Sequence, residues 1–123
     1  MDVKAVEGVL SEILEKIPGL HGVLLITDDG FPIVSTLQAG EPETKSTAVG
    51  AILCESGERG IGELGLGAMD AVVTIGDDGF FVVRRVAKEM LLMAVAPHDV
   101  LLGNALMRIR RAVPRLVECL QGS

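Results

Sequence analysis

Residues 24–35, LLITDDGFPIVS, and residues 72–84, VVTIGDDGFFVVR, say nearly the same thing 49 positions apart. Each is an apolar run, then Asp-Asp-Gly-Phe, then a second apolar run. Asp-Gly between apolar runs is the strongest short-range hairpin signal, because a type I′ turn needs positive φ at both central positions. Asp29-Gly30 and Asp78-Gly79 are therefore read as two hairpin turns, the first of type I′. A chain with two such hairpins must build an antiparallel sheet, and the other elements have to cover it.

Those other elements are legible from periodicity. Val3, Val6, Leu10, Ile13, Leu14 and Ile17 recur at steps of three and four, which predicts a helix. Asp2 can cap its start and Pro18-Gly19 stops it. The strand LHGVLLITD (20–28) is apolar through its middle, so it is expected to be covered on both faces. Pro32 lacks an N–H and places the returning strand FPIVSTL at a sheet edge or with its open side outward. Residues 38–42 read as a loop. From Glu43 to Ser56 the pattern is helical and rich in small residues, and it is expected to fray into GERGIGELGLG (57–67). Three strands follow, at 68–76, 80–87 and 90–96. Asp99 is expected to cap a last helix striped by Val100, Ala105, Leu106, Ile109, Val113, Leu116 and Leu120, with a bend or break near Ala112–Pro114. The order is helix, two strands, helix, three strands, helix. It defines an α+β chain, layered α/β/α around an antiparallel sheet.

Composition removes several functions. A chain of 123 residues argues for a single domain, 1–123, and buries roughly two-thirds of its unfolded surface. The only aromatics are Phe31, Phe80 and Phe81, too few for stacking platforms of the single-strand nucleic-acid type. A net charge of −6 disfavours a phosphate-backbone partner, so no nucleic acid is expected. Cys54 and Cys119 form no CxxC or Cys/His spacing. The N-terminus lacks a basic region followed by an apolar run, and no apolar run approaches the roughly 18 residues that span a bilayer. The expectation is a cytoplasmic protein without membrane insertion.

Each candidate for chemistry has a plainer reading. A metal at Asp28-Asp29 or Asp77-Asp78 needs further converging ligands, and side chains of a tight turn diverge. GIGELG (60–65) matches GxGxxG, but it follows a helix and precedes a strand, the reverse of the dinucleotide-binding context. No P-loop exists, so neither nucleotide nor any other cofactor is expected. Cys54 with His21 or His98 has no local support as a nucleophile and base, and Cys54 falls in an apolar helical register. The small residues of 43–56 suit either tight packing on the sheet or contact with another helix. Arg108, Arg110, Arg111 and Arg115 are either a solvated helix face or a partner-binding patch.

Three stretches together resemble the roadblock/dynein light chain family, and the similarity covers nearly the whole chain. They are PGLHGVLLITDDGFPIVS (18–35), GFFVVRRVAKEMLLMAVAP (79–97) and VLLGNALMRIRRAVPRL (100–116). The resemblance implies a five-stranded antiparallel sheet in the order 2-1-5-4-3, the middle helix on one face and the terminal helices on the other. It implies a homodimer through the middle helix and third strand, placing Ala48, Val49, Ala51, Ile52, Leu53, Ala71, Val73 and Ile75 at the interface. It implies no enzyme, but a scaffold or regulator of a small Ras-like GTPase; the charge cluster, read as a partner patch, offers Arg108, Arg111 and Arg115 as candidate contacts. The other expectations in order are a pure structural adaptor, a small-molecule sensor and, last, an enzyme.

Overall fold

The computed structural model describes residues 1–37 and 43–121; the expected loop 38–42 lies outside them. The elements are α1 (Val3–Lys16), β1 (Gly22–Thr27), β2 (Pro32–Ser35), α2 (Glu43–Glu63), β3 (Val72–Gly76), β4 (Gly79–Ala87), β5 (Met90–Pro97) and α3 (Leu102–Gln121). The five strands form one antiparallel sheet in the order β2-β1-β5-β4-β3. The expected class, element order and strand order are all present. β2 is an edge strand, where the missing N–H of Pro32 is tolerated.

Strand alternation divides the interior in two. Val23 and Leu25 of β1, Phe80 and Val82 of β4, and Leu92 and Ala94 of β5 turn toward the terminal helices. There they meet Val6, Leu10 and Ile13 of α1 and Ala105, Ile109 and Leu116 of α3. Leu24, Ile26, Val83, Leu91 and Met93 turn to the other face, against Ala51 and Cys54 of α2. β1 and β5 are thus covered on both sides, which is why their sequences read as unbroken apolar runs. Each fully buried Leu, Ile or Val contributes about 1.5–3 kcal/mol of transfer free energy.

Both hairpins are present, but neither has the primed geometry. No described residue other than glycine has positive φ, so Asp29 and Asp78 are not type I′ turn residues. In the first hairpin Gly30 N–H donates to Thr27 O at 2.9 Å, and Thr27 N–H donates to Phe31 O at 2.9 Å. With Gly30 at φ +93°, this is a three-residue loop: a type I turn closed by a left-handed glycine that forms a bulge. In the second, Gly76 pairs with Gly79, so Asp77 and Asp78 are the turn residues.

The helix boundaries also differ from expectation. α2 does not fray at Gly57; it runs to Glu63. Gly65 (φ +67°) ends it, with Leu66 N–H donating to Ile61 O and Gly65 N–H to Gly62 O, the paired bonds of a Schellman cap. α3 begins at Leu102, because Asp99 is occupied in a turn closed by Val100 N–H donating to Pro97 O. Nor does α3 break: it continues through Pro114 to Gln121. Pro114 is exposed, so the carbonyl it leaves unbonded one turn earlier can take its hydrogen bond from water. β3 is shorter than expected, starting at Val72 rather than residue 68.

Candidate functional site

The small residues of α2 settle which way the helix faces. Thr47, Ala51 and Cys54 are buried, and Gly50 and Gly57 sit directly on side chains of the sheet and its approach. A Cβ on Gly57 would lie 2.6 Å from Val72 and 2.8 Å from Met69. The stripe therefore packs on the sheet, and close approach is its physical reason. Glu58 extends the same face: its carboxylate accepts from Arg85 of β4 through Nε at 2.8 Å and Nη2 at 2.9 Å. That guanidinium holds the Glu58 carboxyl below the usual range, against a smaller desolvation effect.

What α2 leaves outward is apolar. Val49 and Ile52 are 49% and 64% exposed, one turn apart. Beside them runs a groove of about 1050 Å³, walled by Val49 and floored by Thr74, Phe81, Met93 and Val95. Its far rim is the β3–β4 hairpin, where Ile75 is 69% exposed. β3 pairs only with β4, so its other edge is open among the described residues. The volume is at the upper end of ligand pockets, about 300–1000 Å³. It is an open trough that suits a helix or strand better than a small molecule.

The structure distributes the eight expected interface residues unevenly. Val49 and Ile52 are exposed on α2, and Ile75 is exposed on β3 in register with Phe80, on the sheet face of the terminal helices. Ala48 and Leu53 are half-buried. Ala51 turns into the core under α2, and Ala71 and Val73 pack against the core under the terminal helices. Thr74, Phe81 and Val95 line the trough and are not singled out by the sequence; alternation along β3–β5 is the signal that carries them.

A second surface lies on the opposite face of the molecule, where α1 meets α3. Lys16 of α1 and Arg108, Arg111 and Arg115 of α3 line a small cavity of about 80 Å³. Glu12 pairs with Lys16 at 3.2 Å and with Arg115. Arg115, then Lys16, hold its carboxyl below the usual range. Arg108 and Arg111 have no hydrogen-bond or ion-pair partner among the described residues, and Arg108 Nε is buried. Arg84 and Arg85 are committed elsewhere. Arg84 donates to Asp70 at 2.9 Å, and Asp70 also accepts from Arg110. Arg110 first, then Arg84, hold the Asp70 carboxyl below its usual range. This clasp ties the approach to β3 onto β4 and α3.

The candidates for catalysis are not brought together. The Asp28-Asp29 turn neighbours the β4–β5 turn, through Asp28 N–H donating to Glu89 O. Asp77-Asp78 lie at the opposite end of the sheet, where Asp78 O accepts from His98 N–H. Cys54 is fully buried, and burial pushes its thiol up to about 11, the reverse of an activated nucleophile. Gly60, Gly62 and Gly65 sit at the C-terminal end of α2, whose carbonyls repel a pyrophosphate. Among the described residues no group of three or more His, Cys, Asp or Glu could hold a metal ion. No described helix is long and apolar enough to cross a membrane.

An open sheet edge beside an exposed apolar helix face is a surface that another protein chain can cover. Residues 7–96 match the Roadblock/LC7 domain family, and the chain belongs to that family. Its fold is that of the gliding protein MglB from Thermus thermophilus, at TM-score 0.86 and 20% identity, covering 99% of this chain and 93% of that one. Myxococcus xanthus MglB aligns at TM-score 0.83 and 16% identity, covering 96% of each. A Roadblock/LC7 domain from Streptomyces avermitilis aligns at TM-score 0.83 and 16% identity, covering 93% of this chain and 96% of that one. No protein among curated sequences matches.

Proposed function

We propose that this chain is a homodimeric scaffold that binds a small Ras-like GTPase and influences its nucleotide state. The observation that carries the reading is the exposed apolar pair Val49 and Ile52 on α2, beside the trough and the open β3 edge. A second copy related by a two-fold axis would lay its α2 in the trough and its β3 along the open edge. That arrangement would hide an edge strand that otherwise invites aggregation. Family membership and the likeness to two MglB structures support the regulatory half of the reading. The GTPase would also meet the basic α3 face, with Arg111 exposed and unpaired as the first contact to test, followed by Arg108 and Arg115.

Such a scaffold needs no catalytic group. It accelerates hydrolysis if it binds the hydrolysis-ready switch conformation more tightly than the others, and only that difference in affinity shifts the population. The GTPase then supplies its own catalytic residues.

Light scattering on the wild type and Ile52→Lys tests the dimer. The expected masses are those of two chains and one chain. The same variant should lose its effect on the hydrolysis rate of a Ras-like GTPase encoded beside it. A monomeric wild type, or a variant of unchanged mass, sinks this interface.

A further inference from the structure

The α1–α3 cavity gathers four cations, of which Lys16, Arg111 and Arg115 are exposed and Arg108 is half-buried. Arg108, Arg111 and Arg115 follow spacings of three and four on α3, so three guanidinium groups share one face. Lys16 approaches from α1, and Ile13 and Ala112, both almost fully buried, form an apolar floor. Glu12 answers only Lys16 and Arg115. Four cations here meet one paired carboxylate, and Arg108 and Arg111 stay without an ion pair in a chain whose net charge is −6. Like charges this close repel, and the Nε of Arg108 is withdrawn from water with no acceptor. A bound anion would offset the excess charge and accept from the exposed guanidinium donors.

Size and charge narrow the anion. The cavity is small, about 80 Å³, which suits a group the size of a tetrahedral oxyanion. Guanidinium forks match the paired oxygens of phosphate and carboxylate, and the cluster's excess charge favours a dianion over a carboxylate. We propose that the cavity formed by Lys16, Arg108, Arg111 and Arg115 is a binding site for a phosphate-type dianion. The ligand is either free phosphate or the terminal phosphate of a small monoester. Arg108 and Arg111 supply the unpaired donors, and the other two cations, already turned to Glu12, complete the rim.

The site does not depend on the GTPase reading, and its test contains no GTPase, so the two fail separately. Inorganic phosphate and glycerol phosphate are titrated into the full chain at constant ionic strength in chloride, by calorimetry and by amide chemical-shift mapping. One-to-one saturable binding is expected, with shifts centred on residues 108–115 and around Lys16. Arg111→Gln removes an exposed, unpaired group and should leave the fold intact while weakening binding about tenfold. Arg108→Gln should act in the same direction. Glycerol phosphate binding as well as phosphate would assign the monoester as ligand, and phosphate alone would assign the free ion; both support the site. No saturation with either, affinity unchanged in Arg111→Gln, or acetate binding as tightly as phosphate would overturn it.

Discussion

Gly30 meets two demands at once. Its φ of +93° lies where side chains are strained, and a Cβ there would stand 2.6 Å from the Ala48 backbone. Gly30→Ala should therefore cost about 2–4 kcal/mol, from backbone strain plus displacement of α2. Gly60 is the control: it is helical, and a Cβ would meet nothing within 4 Å. Gly60→Ala should stabilise by about 0.5–1 kcal/mol. Urea denaturation of both variants checks the pair of signs. The Asp-Gly pattern announced the first hairpin correctly but not its turn type. The type depends on whether the loop has two or three residues, and strand register decides that. Asp99 misled for a similar reason: a good capping residue had already been taken by the turn after Pro97.

Among elements, α2 is the one that sequence described least well. Three glycines between residues 57 and 62 argue for fraying by intrinsic propensity. Tertiary contacts win: Gly57 seats on Met69 and Val72, Glu58 is held by Arg85, and Gly65 caps the end. The rotation of α2 was equally hidden. Small residues announced a close contact, but only the sheet shows that Ala51 faces inward and Ile52 outward. On α3 the spacing of Arg108, Arg111 and Arg115 was legible; Lys16 and Glu12 joined them only through the packing of α1 on α3. Three ion-paired carboxyls tie elements together, Glu12, Glu58 and Asp70, all with lowered pKa. Unfolded carboxyls titrate near 3.9–4.3, so the stability these pairs contribute is complete above about pH 5 and lost as pH falls below about 4. Melting temperature should drop steadily over that range. Glu58→Gln should lower stability at pH 7 by about 1 kcal/mol or less and flatten its part of the acid loss.

For the molecule as a whole, the sheet order followed from recognising ordered weak matches rather than from any one motif. The hairpins fixed which neighbours pair, and the family resemblance supplied the joining of β1 to β5. Function is less legible because it belongs to surfaces. The trough and the basic cavity are each made by residues far apart in the chain, and neither carries a catalytic signature. Regulation of a GTPase is tested most directly by the affinity of the intact protein for a Ras-like GTPase encoded beside it, loaded in turn with GDP and with a non-hydrolysable GTP analogue. The expected outcome is a complex containing two copies of this chain and at least about tenfold tighter binding to one nucleotide state, since a smaller difference shifts the population little. Equal affinity for the two states would contradict regulation and leave a structural adaptor. No complex in either state would contradict the proposed function altogether.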